Sequence, residues 1–321
     1  MGRGSAGAVG DRVERGRDAL LRWYRPRRFA YPWRTSPPDP YRVLVSEVML
    51  QQTQASRVAP AFERFIRRFP TVAALAGATR ADVLREWDGL GYNRRALALS
   101  ATARVIASDH GGAVPSAPEA LRSLPGVGPY TAAAVASIGH GVAVPAIDTN
   151  VRRVVSRAML GTESATARDI ERAAHRWLDD REPGAWNQAA MDLGRLVCRP
   201  RPRCAECPLN GLCRFAARAA GRSRARDRAA TAGTLPRQPP FLGSSRQVRG
   251  AIVRELRSRS PISLGRLSAA TGYPLDRVAA AAVALARDGL VRLGPAAVGG
   301  DSRGLVRLAP EPGETRARAT A

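Results

Sequence analysis

The chain has 321 residues, of which 45% are hydrophobic, a length and composition that suit about two globular domains. Its 51 basic residues outnumber 27 acidic ones, and every basic residue is an arginine, so the formal net charge is +24. Such an excess predicts a polyanionic partner, above all nucleic acid. A membrane surface is disfavoured because we find neither a basic amphipathic anchor nor an apolar run of about 18 residues. The first residues lack the apolar core of a secretory signal, so we expect a cytoplasmic protein with no membrane partner.

The N-terminal part predicts a tail followed by a helix. Residues 1–17 contain Gly, Arg and Asp without an apolar period, and we expect them to be disordered. From Asp18 onward the apolar residues recur as on one face of a helix. A short segment with Trp33 and Arg34 then precedes a Ser-Pro-Pro turn, and Trp33 taken alone is as well explained by a core position as by a binding role.

The next apolar segment, residues 43–50, contains a carboxylate. Glu47 lies in its middle, and the segment is directly followed by Gln51 and Gln52. A buried carboxylate is destabilising unless it is paired or neutral, and burial would raise its pKa, as a general acid requires. The alternative for an isolated glutamate is a position on the solvent-exposed side of a helix.

A further helix pair is predicted over residues 81–109, with a turn at Gly91 and Tyr92 between its members. Tyr92 taken alone fits a core aromatic. An aromatic side chain at a turn is also suited to stacking on a nucleic-acid base.

Two helical patterns then meet at Pro125, Gly126, Val127 and Gly128. The glycines permit a tight turn, and the free N–H groups of the helix that begins at Pro129 form a ready anion site. Asp148 follows Tyr130 by 18 residues and directly precedes another apolar-periodic run. The alternative is a plain helical hairpin followed by an aspartate that caps a helix.

All four cysteines lie close together in the sequence, starting at the end of a helix predicted over residues 186–198. They are Cys198, Cys204, Cys207 and Cys213. Such clustering favours a metal site over a disulfide framework. A structural zinc site stays open as an alternative, although zinc sites more often repeat the two-residue spacing in both pairs.

The C-terminal third predicts a second domain. An Arg/Ala-rich linker at 216–244 leads to three helices and two strands within 245–309, and a tail follows at 310–321. Three helices with a two-stranded wing are similar to a winged-helix module. Contact with DNA and a packing or protein-contact role are both open.

The motifs together carry a family resemblance. The helix–Gly-Val-Gly–helix hairpin with a following aspartate resembles the helix-hairpin-helix DNA glycosylases, and the nine residues 46–54, SEVMLQQTQ, resemble the catalytic segment of MutY-type adenine glycosylases. The resemblance covers about residues 20–215. It implies an all-α helix-hairpin-helix glycosylase fold of two helical lobes at 18–215, with an iron–sulfur loop at 198–213. The small winged-helix-like domain is typical of the shorter actinobacterial members and replaces a Nudix-like domain.

The resemblance also assigns roles to the catalytic residues. Glu47 would protonate adenine, Asp148 would stabilise the cationic sugar, and Tyr130 and Asn150 would orient the acid or the water. Glycoside hydrolysis uses the same division between two carboxyl groups.

Further roles concern DNA and the cofactor. The hairpin at 125–128 would hold a DNA phosphate, and Gln51 and Gln52 would bind DNA, with Gln52 entering the gap left by the flipped base. Tyr92 would act as a wedge beside the base opposite the flipped one. Trp33 and Arg34 would lie at the base pocket. The four cysteines would hold a 4Fe–4S cluster, although the first gap, from Cys198 to Cys204, is one residue shorter than in the relatives. The arginines at 199, 201 and 203 on this loop would face DNA phosphates.

The resemblance implies a monomeric base-excision repair enzyme that acts on double-stranded DNA of the nucleoid. It would remove adenine that faces 8-oxoguanine or guanine. Tyr130 stands where lyase-competent relatives have a lysine, and the chain has no lysine to form a Schiff base, so water should be the nucleophile. The alternatives are a thymine glycosylase for T:G mismatches and a non-catalytic DNA-binding regulator.

Overall fold

The structure is a computed structural model that describes residues 4–28, 31–220 and 241–310. The chain divides into two compact units, each made from two stretches of sequence. The first comprises Met1–Glu47 and Val114–Leu235, and the second comprises Val48–Ala113 and Pro236–Ala321. Within the described ranges, no helix is both long enough and apolar enough to cross a membrane.

Most described residues are helical. In chain order the helices are α1 (Gly4–Tyr24), α2 (Pro40–Leu50), α3 (Ala55–Arg68), α4 (Val72–Ala76), α5 (Arg80–Glu86), α6 (Arg94–Asp109), α7 (Pro118–Arg122), α8 (Pro129–Ala134), α9 (Thr149–Val155), α10 (Ala167–Trp177), α11 (Pro183–Leu196), α12 (Arg214–Ala220), α13 (Ser245–Ser258), α14 (Leu264–Thr271), α15 (Leu275–Arg287) and α16 (Pro295–Val298). Helices α8 and α9 continue as π-helical turns over Val135–Gly139 and Ser156–Leu160. The strands are β1 (Ile262–Ser263), β2 (Val291–Leu293) and β3 (Leu305–Leu308).

The core of the first unit lies where α1, α9, α10 and α11 pack together. Trp177 and Trp186 meet edge to face at its centre, with ring centroids 5.6 Å apart. Leu20, Val155 and Leu193 are fully buried around them. Burial of large apolar side chains from four helices supplies the main stabilisation of this unit.

Helix α1 corrects the prediction for the N-terminus. Residues 1–17 were expected to be disordered, but the helix already begins at Gly4. Val13, Gly16 and Leu20 are buried at helical spacing, so the apolar period extends upstream of Asp18. At Gly16 the helix passes close to the indole of Trp177, where an added Cβ would lie 3.4 Å from the ring nitrogen. Because Gly16 has no apolar side chain, the sequence pattern did not reveal this part of the buried face of α1.

The second unit begins with a helical lobe. Phe65 packs edge to face on Phe69 and Trp87, with centroid distances of 5.0 and 5.9 Å. Helices α5 and α6 confirm the pair predicted over 81–109, and residues 87–93 connect them. Helix α5 ends at Glu86, and the connecting residues belong to neither helix.

The same unit contains the winged-helix region. Helices α13, α14 and α15 carry a three-stranded antiparallel sheet in the order β1–β3–β2, which pairs Ile262 with Val306 and Val291 with Leu308. The two strands predicted here are confirmed. Strand β1 was not predicted, because it has two residues and its partner lies more than 40 positions away. This region and 48–113 form one compact unit. The predicted domain boundaries stay a prediction, since residues 221–240 and 311–321 lie outside the described ranges.

Candidate active site

Glu47 of α2 is a buried carboxylate. Only 7% of the residue is exposed, and Leu44, Val45 and Met49 beside it are fully buried or nearly so. Desolvation raises the pKa of Glu47 to about 7, a hydrogen bond from Tyr130 and the charge of Arg34 oppose the rise, and Asp148 adds to it. A carboxyl with this pKa exchanges a proton near neutral pH, as a general acid must.

Tyr130 lies on α8, directly after the hairpin turn. Its hydroxyl is hydrogen-bonded to the carboxyl of Glu47 and also lies 3.6 Å from the sulfur of Met191. Burial and the nearby carboxyl groups raise the pKa of Tyr130 well above the ordinary value for tyrosine. The phenol therefore stays protonated and donates to Glu47.

Asp148 caps the N-terminus of α9. Its Oδ1 accepts the backbone N–H groups of Asn150 and Val151 at 2.9 and 2.6 Å, and its Oδ2 accepts the side-chain amide of Asn150 at 2.7 Å. Burial raises its pKa, whereas these three hydrogen bonds and the charge of Arg153 oppose the rise. Donors to the carboxylate and a helix N-terminus both favour the ionised form.

Asn150 and Arg153 fix the position of Asp148 through a chain of hydrogen bonds. Asn150 accepts a hydrogen bond from Arg153 at 2.8 Å, and Arg153 also donates to the carbonyl oxygens of Cys198 at 2.6 Å and Gly194 at 2.8 Å. The arginine thus links the helix of Asp148 to the start of the cysteine loop.

Trp33 and Arg34 lie beside the same core. Trp33 is buried and stacks on Tyr31, with ring centroids 4.7 Å apart. Arg34 forms a buried ion pair with Asp192 of α11 at 2.8 Å, with 9% and 6% of the two side chains exposed. The core interpretation of Trp33 agrees with its burial, and contact with a base stays a prediction.

The hairpin between α7 and α8 has the predicted backbone. Gly126 has a left-handed φ of +75°, which favours glycine, and Val127 is buried and anchors the turn. Gly128 is extended and caps α8, and a Cβ placed there would meet nothing within 4 Å. The turn therefore presents an uncovered backbone edge.

In the second unit, Gln52 and Tyr92 share an unusual backbone conformation. They are the two non-glycine residues with positive φ among those the structure describes, at +57° and +49°. Both are exposed, Tyr92 by 40%. Such a conformation costs about 1–3 kcal/mol and persists only where the surroundings enforce it. Observed strain of this kind is a reason to infer a functional role at both residues.

Arg95, which the sequence analysis did not single out, holds both segments. Its guanidinium stacks near the rings of Trp87 and Tyr92. Its acceptors are the backbone oxygens of Val48 (2.9 Å), Met49 (2.8 Å), Gln51, Leu90 (3.4 Å) and Gly91 (3.2 Å) and the hydroxyl of Thr53 (3.1 Å). Burial lowers the pKa of Arg95 to about 10, so it stays charged at neutral pH. In an arginine-rich chain, no local pattern distinguishes this residue.

The four cysteines line one cavity between the end of α11 and the start of α12, together with Arg157 and Phe215. They are free thiols, and Arg157 lies 3.6 Å from the sulfur of Cys198. Among the described residues, no group of three or more His, Cys, Asp or Glu side chains is gathered closely enough to hold a single metal ion. The cavity confirms that the cysteines cluster in space, and the nature of their ligand stays a prediction.

Two glycines of α11, which the sequence analysis also did not single out, let this helix approach the backbone of neighbouring segments. A Cβ at Gly194 would lie 2.6 Å from the Cβ of Asn150, and one at Gly184 would lie 2.9 Å from the Cα of Ile138. Any side chain at these positions would displace the neighbouring backbone.

Comparison with known proteins identifies the class to which this fold and site belong. A family model described as "HhH-GPD superfamily base excision DNA repair protein" matches residues 45–180. Among solved structures, a thermostable thymine-DNA glycosylase is 27% identical with a TM-score of 0.61, covering 66% of this chain and 99% of that one. A non-covalent endonuclease III–DNA complex, at 22% identity and a TM-score of 0.55, shows the fold alone.

Similar proteins of curated function identify the family within this class. The adenine DNA glycosylase of Mycolicibacterium smegmatis is 44% identical over 253 residues, covering 77% of this chain and 83% of that protein. The Homo sapiens adenine DNA glycosylase is 40% identical over 211 residues, which span 62% of this chain and 39% of the human protein. The chain belongs to the adenine DNA glycosylase family. The family resemblance predicted from sequence is thereby confirmed.

We expect Glu47→Gln to stabilise the protein at pH 8 by about 3 kcal/mol, because the pKa of Glu47 rises from 4.5 to about 7 on folding. Between these two values the folded state binds more protons, so stability falls as pH rises. The gain should therefore vanish below about pH 4.5. Urea unfolding at several pH values tests this, with Glu63→Gln on the exposed side of α3 as control. A gain independent of pH would contradict the pKa.

We expect Arg95→Met to lower the free energy of unfolding by about 3 kcal/mol, because several buried carbonyl groups lose their donor. Arg95→Lys should restore only part of this, since one ammonium lacks the planar fork of guanidinium. Arg67→Met, exposed on α3, is the matched control. Equal stability of the variants at 95 and 67 in urea unfolding would refute the role of Arg95.

Proposed function

We propose that this protein is a monomeric, monofunctional DNA repair enzyme that hydrolyses the N-glycosidic bond of adenine facing 8-oxoguanine or guanine. The observation that carries the proposal is the buried carboxyl of Glu47, whose pKa is raised to about 7 beside Tyr130 and Asp148. A protein that only binds DNA needs neither carboxyl group. The residues of this acid site come from one chain, so a single copy suffices. The nucleoid of the cytoplasm is the proposed location, in keeping with a DNA substrate and a net charge of +24.

The first step is proton transfer to the leaving base. Near neutral pH a large fraction of Glu47 is protonated, because its burial disfavours the charged form of the carboxyl relative to solvent. Transfer of this proton to a ring nitrogen of adenine lets the base leave as a neutral molecule. Tyr130 orients the acid through its hydroxyl, and the field of Asp148 helps to keep the proton on Glu47 before substrate binds.

The second step is stabilisation of the sugar. Loss of adenine leaves a sugar with developing positive charge, which a fixed carboxylate stabilises. Asp148 fits this role because three hydrogen-bond donors fix its position and favour its ionised form. Asn150 supplies two of these donors and so positions the carboxylate.

Water completes the reaction. The chain contains no lysine, so no lysine amine can attack the sugar and form a Schiff base. Water therefore adds where the base left, the expelled proton passes to a nearby carboxylate, and the product is an abasic site in an unbroken strand.

Three sets of residues are proposed to contact DNA. The uncovered backbone edge at Gly128 suits a phosphate, because N–H groups at a helix N-terminus bind anions. Gln52 is proposed to enter the gap left by the flipped adenine, and Gln52 and Tyr92, with Gln51 beside them, are proposed to contact the facing base. The strained backbone of Gln52 and Tyr92 supports this use. Trp33 and Arg34 are proposed to border the base pocket.

The spacing of the cysteines favours an iron–sulfur cluster over zinc. A structural zinc site more often repeats the two-residue spacing in both pairs, whereas here only Cys204 and Cys207 have it. All four cysteines line one cavity together with Arg157. We propose that Cys198, Cys204, Cys207 and Cys213 hold a 4Fe–4S cluster, which would fix the loop and need supply no electron for hydrolysis. The exposed arginines at 199, 201 and 203 on this loop are proposed to face DNA phosphates.

We expect single-turnover excision of adenine from A:8-oxoguanine and A:G duplexes, with strand breakage only after alkali. T:G, U:G and an oxidised pyrimidine complete the panel. Glu47→Gln should lower the rate by at least about 100-fold while binding persists, because the acid is lost without a change of shape. Glu63→Gln is the control. Preference for T:G would instead favour a thymine glycosylase, the activity named for the structural neighbour. Cleavage before alkali would refute hydrolysis.

We expect Gly128→Val to weaken binding of any duplex about tenfold or more, because its side chain would occupy the space that a phosphate needs. The variant should fold normally, since Gly128 has an extended backbone with open space around it. Gly77→Val, exposed at the end of α4, is the control. Fluorescence anisotropy at several salt concentrations measures the effect. Equal affinity of the two variants would argue against phosphate capture at the hairpin.

We expect anaerobically purified protein to be brown and to contain about four irons per chain. Replacement of Cys207 by serine should reduce the iron content and the visible absorption together. Metal analysis and absorption spectra measure both. One zinc per chain without iron would show that the cysteines form a zinc site.

A further inference from the structure

We propose that the winged-helix region positions the loop 87–93, here called the Tyr92 loop, and does not itself read DNA bases. By positioning this loop, the region affects how the enzyme discriminates between the bases that can face adenine. This inference rests on the proposed function. The observation behind it is a set of ion pairs and hydrogen bonds that join both ends of this loop to the winged-helix region. All of these residues belong to the second compact unit.

Arg257, in the last turn of α13, holds the start of the loop. Its side chain is 9% exposed, donates to the carbonyl oxygen of Leu84 at 2.8 Å and pairs with the carboxylate of Asp88 at 3.1 Å. Helix α13 packs directly on α5, which ends at Glu86. A largely buried guanidinium with two acceptors on another segment fixes that segment more firmly than a solvent-exposed ion pair would.

Asp288, just after α15, holds the other end. It pairs with Arg94, the first residue of α6, at 3.5 Å, and also with Arg249 of α13. The next residue, Gly289, accepts a hydrogen bond from Arg80 at 2.7 Å. The winged-helix region therefore contacts helix α5, Asp88 near the start of the Tyr92 loop, and Arg94 directly after the loop.

The loop between these contacts needs such support. Gly89, Gly91 and Tyr92 have φ values of +83°, +68° and +49°, and the indole N–H of Trp87 donates to Gly91 at 3.0 Å. Left-handed backbone at a tyrosine persists only when neighbouring structure enforces it. Release of either end would let Tyr92 leave the conformation in which it is presented.

Direct reading of bases by this region is disfavoured by the composition of α15. In helix-turn-helix modules the later helix enters the major groove and reads base edges with polar side chains. The first turn of α15 carries Asp276 and Arg277, and Arg277 already donates to the carbonyl oxygen of Gly243 at 2.6 Å. The following residues, 278–286, read VAAAAVALA and offer no side-chain donor or acceptor. Such a helix suits packing better than base recognition.

The test compares Arg257→Met and Asp88→Asn with Arg254→Met, which removes the same charge from an exposed position on the same helix. Hydrogen–deuterium exchange of the full chain should be about threefold to tenfold faster at the amides of 87–94 in the first two variants only. The ratio of single-turnover rates for adenine facing 8-oxoguanine and facing guanine should change by about threefold or more in the same two variants. Asp88 is 53% exposed at its side chain, so Asp88→Asn decides the matter should Arg257→Met not fold.

Exchange and rate ratios equal to those of Arg254→Met would overturn the inference. So would faster exchange with an unchanged ratio, because the contacts would then serve stability alone. Failure of the wild type to excise adenine would contradict the proposed function instead, since the exchange measurement needs no substrate and reports on the loop independently.

Discussion

The burial of one carboxyl group, that of Glu47, is the constraint on which the site depends. An ionised glutamate of which only 7% is exposed would be strongly destabilising, so the fold must either pair it or keep it neutral. The structure combines the two solutions. The phenol of Tyr130 donates a hydrogen bond to the carboxyl, which gives it a neutral partner. Arg34, which could pair with it as a cation, is bound by Asp192 instead, so the carboxyl can stay protonated. Had Arg34 paired with Glu47, the carboxyl would have become a stable anion and a poor acid.

The two carboxyl groups that are proposed to act in catalysis, those of Glu47 and Asp148, differ because their surroundings differ. Glu47 lies in the middle of a helix, where the backbone N–H groups are already bonded and none is left to stabilise a charge. Asp148 lies at a helix N-terminus, where free N–H groups are available, and it accepts two of them. The position of each residue along its helix therefore determines which of the two carries the proton.

Local sequence patterns predicted the elements that bear the chemistry. The apolar run around Glu47, the glycines of the hairpin and the capping position of Asp148 are short-range signals, and all three have the expected backbone. The patterns did not reveal Arg95 or Asp192, because each has partners that are distant in the sequence: Val48 and Thr53 for Arg95, and Arg34 for Asp192. They also failed where small residues interrupt an apolar face, as at Gly16 of α1, and where a strand is as short as β1. Long-range pairing of polar groups has no periodicity by which it could be recognised.

The glycines of α11 have a consequence for the way the site can vary. Where Gly194 faces Asn150 and Gly184 faces Ile138, main chain meets main chain without an intervening side chain. Interiors usually absorb a changed volume by shifting rotamers, but here no rotamer exists to shift. A single added methyl group at position 194 would push against the helix that carries Asp148, although neither atom involved takes part in the chemistry. The placement of the carboxylate therefore depends on the absence of a side chain at position 194 of α11.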